Sequence, residues 1–294
     1  MFTDIHSPLQ QLKHPLLPQL WIKRDDLIDP YISGNKWRKL KYLLSKARTE
    51  NKQHLVTFGG AYSNHLLATA AAASRAGLKS TAFVRGEIVK NEMLMLCQLF
   101  GMTLIFVDRT SYKDKTSLFQ QYFGEDPDAF FIDEGGASLE AVTGCAEIIA
   151  ELPTDIDHIF CAAGTGTTAA GLLKGIHARG LKTTLHVVPA LKGAEFIAEE
   201  IFNYLRHTDQ LILHTDYHFG GYAKTKPELI DFMKTFIREQ GVLVDPVYTA
   251  KMMYAIYDLA EKDYFKKEDK IVALHTGGLM GILGMKDKFL LNPL

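Results

Sequence analysis

The sequence LVTFGGAYSNHLLATAAAASRAG, residues 55–77, decides the fold because it contains a strand, a turn and a helix in succession. The apolar run 55–58 is typical of a buried strand, and two glycines follow it. Apolar residues then recur with helical spacing over 66–76, and Gly77 stands where a helix C-terminal cap is expected. This order is half of a βαβ unit, in which parallel strands alternate with helices.

The same order recurs along the chain, and it predicts an α/β fold with mostly parallel sheets flanked by helices. Three further glycines follow predicted helices as Gly77 does: Gly101, Gly180 and Gly241. The other predicted strands are 80–84, 103–107, 159–163, 184–188 and 271–275. The other predicted helices are 40–47, 92–100, 139–152, 169–178, 195–205, 229–239 and 250–260.

The composition of the 294 residues excludes several classes of protein. Lys and Arg number 33 and Asp and Glu number 34, so a strongly basic nucleic-acid surface is not expected. Three cysteines are too few and too scattered for a disulfide framework or a zinc cluster, which indicates a reducing compartment and no metal site. No apolar run approaches membrane-spanning length, and the N-terminus, with Asp4, lacks the apolar core of a secretory signal. We therefore expect a cytoplasmic protein without nucleic-acid or membrane partners.

The segment Ser33-Gly34-Asn35-Lys36 places a lysine at the start of a predicted helix. Lys36 shares one helical face with Leu40, Leu43 and Ala47, so its amine is expected near the interior. Burial lowers the pKa of a lysine and favours Schiff-base formation. The alternative is an ordinary lysine that extends along an apolar face to reach solvent.

A second loop, residues 59–65, follows the strand quoted above and precedes its helix. Ser63 or Asn64 is expected to cap that helix, which leaves free backbone N–H groups able to bind a carboxylate or phosphate. Plain capping without a ligand is the alternative, although consecutive glycines favour close approach of one.

A third loop, Gly164-Thr165-Gly166-Thr167-Thr168, also connects a predicted strand to a helix. With Ala169 it matches the G-x-G-x-x-A pattern of dinucleotide sites, but no acidic residue ends the next strand, as that pattern requires. Three hydroxyls and helix-start amides suit a terminal phosphate monoester better. A purely structural glycine loop remains the alternative.

The C-terminal third contains further hydroxyl groups on loops, including Tyr222, Tyr248 and Thr276. Each alone is typical of a half-buried core residue. Together, however, a buried lysine, a phosphate-binding loop and a carboxylate-binding helix start are the components of pyridoxal 5′-phosphate chemistry on an amino acid.

Three motifs resemble the 1-aminocyclopropane-1-carboxylate deaminase / D-cysteine desulfhydrase family of pyridoxal-phosphate enzymes. They are residues 33–40 (SGNKWRKL), 60–65 (GAYSNH) and 245–251 (DPVYTAK), and the resemblance runs from about residue 21 to 284. It implies a two-domain, tryptophan-synthase-β-like architecture of fold type II. The large domain would comprise 1–44 and 141–294, with a small α/β domain inserted at 45–140. It also implies a homodimer.

By that resemblance, Lys36 is the Schiff-base lysine and carries the proton at the substrate α-carbon. Lys39 and the loop of Gly164, Thr165, Gly166, Thr167 and Thr168 would hold the phosphate. Asn64 would lie against the cofactor ring, and Thr276 would meet its pyridine nitrogen.

The resemblance also implies a substrate site for a small amino acid. Ser63, Asn64 and His65 would receive the substrate carboxylate, while Tyr222 and Tyr248 would face the reacting part of the substrate. Ser63, Tyr222 and Tyr248 are therefore candidate catalytic residues beside Lys36.

The chain departs from the deaminase pattern at Thr249 and at Thr276, where the deaminases have leucine and desulfhydrase-type members have threonine. Thr249 stands where the deaminases have the glutamate that partners the pyridine nitrogen, and we count it with the cofactor-binding residues. A neutral hydroxyl suits elimination of a good leaving group, so we expect D-cysteine desulfhydrase-type activity giving pyruvate, ammonia and sulfide. Cyclopropane-ring opening to 2-oxobutyrate and ammonia is the first alternative. A non-catalytic cofactor- or amino-acid-binding protein and a nicotinamide-dependent dehydrogenase are the others.

Overall fold

The computed structural model describes residues 5–289. They contain two β-sheets in which nearly all neighbouring strands are parallel. The strands of the six-stranded sheet are β1 (Leu9–Gln11), β2 (Leu20–Lys23), β7 (His158–Ala163), β8 (Thr184–Pro189), β9 (Leu211–Leu213) and β10 (Ile271–Leu274). Their order in the sheet is β1-β2-β10-β7-β8-β9, and all neighbouring pairs are parallel except β1 with β2. The four-stranded sheet has the order β5-β4-β3-β6 and is entirely parallel. Its strands are β3 (His54–Gly60), β4 (Lys79–Arg85), β5 (Thr103–Val107) and β6 (Ala129–Ile132).

Nine α-helices in this part of the chain flank the sheets. They are α1 (Asn35–Thr49), α2 (Asn64–Ala76), α3 (Glu92–Leu99), α4 (Lys115–Phe123), α5 (Leu139–Ala150), α6 (Thr167–Ala178), α7 (Phe196–Leu205), α8 (Pro227–Gln240) and α9 (Thr249–Glu261). The face of α1 predicted from its spacing is confirmed, because Leu40, Leu43 and Ala47 are buried. Gly77, Gly101, Gly180 and Gly241 all have positive φ, as helix-ending glycines should. None of these helices is long and apolar enough to cross a membrane.

The predicted α/β fold with parallel sheets is confirmed, and each predicted strand and helix is present. Strands β1, β2, β6 and β9 and helix α4 were not predicted, because each is short and lacks a clear period. The four-stranded sheet is built from a continuous part of the chain, as an inserted domain requires. The domain limits at 45 and 140 stay a prediction, and both fall within helices, α1 and α5.

Two sets of residues used in the predictions lie outside the described range. These are residues 1–4, part of the N-terminal stretch that was examined for a signal, and residues 290–294, the end of the predicted large domain.

The topology places residues 60–65, 164–168 and 275–278 at the carboxyl ends of strands, the last two side by side in the six-stranded sheet. In a parallel sheet the carboxyl ends of the strands share one edge, and ligands bind beyond that edge. The loop 60–65 leaves β3, the loop 164–168 leaves β7, and residues 275–278 leave β10, which pairs with β7.

Candidate active site

A cavity of about 1340 Å³ opens where the carboxyl ends of the two sheets face each other. Twelve of the fourteen predicted site residues line it: Lys36, Lys39, Ser63, Asn64, His65, Gly164, Thr165, Gly166, Thr168, Tyr222, Tyr248 and Thr276. Thr167 and Thr249 do not. Loops separated by more than 200 residues in sequence therefore converge on one volume.

Lys36 is held at the wall of this cavity by a close backbone contact. Gly34 has φ +62°, and a Cβ atom there would lie 1.9 Å from the carbonyl oxygen of Thr276, so only glycine fits. The Lys36 Nζ donates to Asn35 Oδ1 at 2.8 Å, and Asn35 Nδ2 donates to Thr168 Oγ1 at 2.9 Å. Burial, with the charge of Lys39 nearby, lowers the pKa of Lys36 to about 7. Near neutral pH a large share of its amine is therefore uncharged and nucleophilic.

Lys39 lies one turn along α1 and is almost fully buried. Its Nζ donates to the Gly135 carbonyl oxygen at 2.9 Å, and burial lowers its pKa. Gly135 has φ +69°, and a Cβ atom there would lie 3.4 Å from the side chain of Thr165. This contact brings Lys39 and the loop after β7 to the same side of the cavity.

The N-terminus of α6 forms the predicted phosphate-binding loop. Gly166, in a left-handed conformation, is the N-cap and supplies no side chain to the first-turn N–H groups. Thr165 and Thr168 line the cavity beside these groups. The side chain of Thr167 does not line the cavity. It is fully buried, and its hydroxyl lies 3.2 Å from that of Thr165 and also bonds to Tyr204.

The N-terminus of α2 is capped by Ser63, one of the two predicted candidates. The Ser63 hydroxyl accepts from the Leu66 N–H at 3.4 Å. Asn64 packs against Gly278, where a Cβ atom would lie 2.6 Å from Asn64 Nδ2. This packing fixes the Asn64 amide between the starts of α2 and the segment after β10.

His65 differs from its expected role. The Thr57 hydroxyl donates to the Ile132 carbonyl oxygen at 2.9 Å, so it accepts from His65 Nε2 at 2.8 Å. Burial and the neighbouring lysines hold the pKa of His65 well below its usual range, so the ring is neutral and Nδ1 carries no proton. The side chain of His65 therefore has no donor for a carboxylate, which leaves the backbone N–H groups at this helix start and the side chains of Ser63 and Asn64.

Tyr222 and Tyr248 face each other across one end of the cavity, with ring centroids 6.1 Å apart. A Cβ atom on Gly164 would lie 3.3 Å from the Tyr248 hydroxyl, so glycine lets this hydroxyl approach the loop after β7. Burial raises the pKa of both tyrosines, and that of Tyr248 lies well above its usual value. Both are neutral hydrogen-bond donors near neutral pH.

Thr249 lies outside the cavity, and its expected role toward a cofactor ring is not supported. It is fully buried; its hydroxyl donates to Asp245 Oδ1 at 2.7 Å and accepts from the Asp245 N–H at 2.8 Å. The same carboxylate accepts from the backbone N–H groups of Val247, Tyr248 and Thr249. Thr249 thus stabilises the turn that presents Tyr248. Thr276, in contrast, lines the cavity at the end of β10.

Sequence reasoning overlooked Asn35 and Gly135, which connect the two lysines to their surroundings. Asn35 could have been predicted, because it is adjacent to Lys36 within the quoted motif. Gly135 could not, because it contributes a backbone carbonyl and lies 96 residues from Lys39 in sequence. No cluster of His, Cys, Asp or Glu within residues 5–289 could hold a metal ion.

The donor set fits a ligand that combines a phosphate with a carbonyl group. An uncapped helix start, two threonine hydroxyls and Lys39 supply phosphate donors, and a nucleophilic amine is available at Lys36.

Comparisons with known proteins agree with this geometry. Residues 5–277 match the family model described as pyridoxal-phosphate dependent enzyme. The chain is 32% identical, over 96% of its length and 91% of the relative's, to a Pyrococcus abyssi protein provisionally named a 1-aminocyclopropane-1-carboxylate deaminase. It is 28% identical, over 97% of its length and 79% of the relative's, to the mitochondrial bifunctional D-cysteine desulfhydrase/1-aminocyclopropane-1-carboxylate deaminase of Arabidopsis thaliana. A crystal structure titled as that of an ACC deaminase homologue superposes with a TM-score of 0.86 at 27% identity, covering 98% of this chain and 94% of the other.

Proposed function

This chain belongs to the pyridoxal-phosphate dependent enzyme family, and we propose that it is a lyase of the D-cysteine desulfhydrase type. The proposed reaction converts D-cysteine and water to pyruvate, ammonia and hydrogen sulfide. Membership in the family favours pyridoxal phosphate over the nicotinamide-cofactor alternative.

The observation that carries the proposal is the chemistry of the segment after β10. Bound pyridoxal phosphate withdraws electrons from the substrate α-carbon, most strongly when a carboxylate keeps its ring nitrogen protonated. In the described chain, the acidic residues lining the cavity are Glu87, Asp108, Asp133, Glu134 and Glu200. None belongs to 245–249 or 275–278, and Thr276 offers a hydroxyl instead. A weaker electron sink favours substrates whose leaving group departs readily, such as a thiolate.

Different residues would bind the aldehyde and the phosphate of the cofactor. Lys36 would hold the cofactor aldehyde and move the α-carbon proton, for which a pKa of about 7 is suited. The start of α6, with Thr165, Thr168 and Lys39, would bind the phosphate.

The substrate would be oriented from two sides. The first-turn N–H groups of α2, with Ser63 and Asn64, would bind its carboxylate. Tyr222 and Tyr248, as neutral donors, would face the leaving group from the opposite side.

A substrate panel tests this proposal. D-cysteine, L-cysteine, β-chloro-D-alanine and the cyclopropane amino acid would be compared by kcat/KM, with sulfide, pyruvate, 2-oxobutyrate and ammonia as readouts. We expect D-cysteine and β-chloro-D-alanine to be the best substrates and the Lys36→Ala variant to be inactive. Preference for the cyclopropane acid over every D-amino acid would overturn the proposal.

Cyclopropane-ring opening remains the second candidate because a relative 32% identical over nearly the whole chain is provisionally named for it. The relative from Arabidopsis thaliana is named for both activities. Production of 2-oxobutyrate in the same panel distinguishes this candidate.

We further propose a homodimer, a cytoplasmic location and the domain limits given above. The homodimer and the domain limits follow from the family resemblance. The cytoplasmic location is supported by three cysteines that are all free and buried, Cys97, Cys145 and Cys161. Light scattering on purified protein tests the dimer.

A further inference from the structure

A lysine outside the predicted site, Lys251 on α9, carries a fully buried amine. It donates to three backbone carbonyl oxygens: those of Ala190 at 3.2 Å, His218 at 2.8 Å and Gly221 at 2.9 Å. An ammonium group has three donors, so these carbonyls satisfy it completely. The nearby carboxylate of Asp245 is occupied by donors of its own segment. The charge of Lys251 is therefore solvated by peptide oxygens.

The three carbonyls belong to three different segments. Ala190 follows β8, His218 ends the short 3-10 turn Thr215–His218, and Gly221 belongs to the next loop. A buried ammonium without acceptors is costly, so the amine requires these carbonyl oxygens. Two of them have a backbone donor as well, because the His218 carbonyl accepts from the Gly221 N–H at 3.0 Å and the Gly221 carbonyl from the Lys224 N–H at 3.1 Å. The amine joins the three backbone segments to α9.

One of these bonds ends directly before Tyr222. Gly220 and Gly221 have φ of +97° and +115°, which are conformations that favour glycine. The bond from Lys251 fixes the Gly221 carbonyl, and Tyr222 is the next residue. Tyr248 is the N-cap of the same helix, α9, three residues before Lys251. A single helix thus sets the position of one tyrosine directly and of the other through the Lys251 amine.

We propose that Lys251 is a positioning residue whose ammonium acts as a built-in monovalent cation, holding the Gly221 carbonyl so that Tyr222 faces Tyr248 in the cavity. This inference rests on the proposed role of Tyr222 at the substrate. It predicts that a free cation of similar size and hydrogen-bonding capacity can replace the lost ammonium in a truncated variant.

The test is Lys251→Ala holoenzyme, assayed with ammonium or tetramethylammonium chloride at equal ionic strength. We expect kcat to fall about 100-fold, since a small misplacement of a catalytic group has this effect. The visible absorption of the bound cofactor should persist, and ammonium should restore kcat saturably while tetramethylammonium does not. The matched control is Lys234→Ala, which removes an exposed lysine of α8 and should leave kcat unaffected by either salt.

Hydrogen exchange of residues 218–223, followed by mass spectrometry, tests the same inference without turnover. We expect faster exchange in Lys251→Ala and protection by ammonium, even if the enzyme acts on none of the substrates offered. Failure of the proposed reaction is thereby separated from failure of this inference. If Lys251→Ala does not fold, Lys251→Gln, which keeps two donors, serves in the same two assays.

The inference also predicts coupling to Tyr222. The loss of kcat in Lys251→Ala should be largely absent when Tyr222 is already Phe, because the lysine acts through that side chain. Unchanged kcat and exchange in the lysine variant would overturn the proposal, as would an additive double variant or restoration by both salts alike.

Discussion

The first turn of α1 contains Lys36, which is half-buried, and the first turn of α9 contains Lys251, which is fully buried. The two amines have different surroundings. Burial lowers the pKa of both, to about 7 for Lys36 and about 8 for Lys251. The Lys36 amine donates to the side chain of Asn35 and faces the cavity, whereas Lys251 uses all three donors on carbonyl oxygens outside the cavity lining. A lowered lysine pKa thus does not identify a reactive amine, and the number of satisfied donors does.

The difference originates in how each helix begins. The N-cap of α1 is Gly34, whose positive φ allows its backbone to lie in close contact with the backbone of Thr276. The next two residues, Asn35 and Lys36, line the cavity. The helix α9 starts within the turn held by the Asp245 carboxylate, and Lys251 lies on the side that faces the loop of Gly221. The first arrangement exposes an amine to a ligand, and the second anchors backbone.

The largest expected effect comes from removing the available amine. Lys36→Ala should lower kcat by about 1000-fold or more, because the group proposed to hold the cofactor and move the proton is lost. Borohydride reduction of the wild-type holoenzyme should attach the cofactor to Lys36, as identified by peptide mass spectrometry. Attachment to a different lysine would show that Lys36 is not the cofactor lysine. Circular dichroism should confirm that the variant is folded.

A pH titration of the cofactor-free protein compares the two lysines directly. The neutral, reactive fraction of an amine rises as pH rises through its pKa, so acylation of Lys36 should be half-maximal near pH 7. Lys251 should remain unlabelled while the protein is folded, because its amine is buried and bonded to three carbonyl oxygens. Labelling of Lys36 only above pH 10 would contradict the proposed assignment, as would labelling of Lys251 in native protein.

The phosphate-binding loop should show a smaller effect. Thr165→Val with Thr168→Val removes two cavity hydroxyls but keeps the backbone N–H groups of α6. Each charge-assisted hydrogen bond contributes about 1.5–3 kcal/mol, so cofactor affinity should fall about tenfold or more. Equilibrium dialysis measures this change, and Thr143→Val, at a partly exposed threonine of α5 that does not line the cavity, is the matched control. Unchanged retention in the double variant would exclude these hydroxyls from phosphate binding.

Local patterns in the sequence were sufficient to predict the fold class. The run of 55–77 predicts β3, the Ser63 cap, α2 and Gly77 in order, because each depends on residues near it in sequence. Spacing alone also predicts the buried face of α1 that begins at Lys36.

Contacts between distant segments could not be predicted in this way. The carbonyls around Lys251 lie 30 to 61 residues away, and backbone oxygens leave no mark on a sequence. The tautomer of His65 depends on Thr57 and on Ile132 of a neighbouring strand. A motif gives the place of Thr249 in the chain but not the direction of its hydroxyl, which bonds Asp245.

The smallest expected effect is a loss of stability when Thr249 is replaced. Thr249→Val removes a hydroxyl that bonds both the carboxylate and the N–H of Asp245, and it leaves that N–H buried without an acceptor. The free energy of unfolding should fall by about 2 kcal/mol, measured by urea denaturation, while Thr249→Ser should restore most of it. Because Thr249 does not line the cavity, cofactor affinity and the ratio of pyruvate to 2-oxobutyrate should stay the same. Thr249→Glu should likewise destabilise the protein without increasing ring opening, since a carboxylate there would be buried beside that of Asp245. A shift toward 2-oxobutyrate in the glutamate variant would show that position 249 does reach the cofactor ring, and the turn at Asp245 would then have to rearrange.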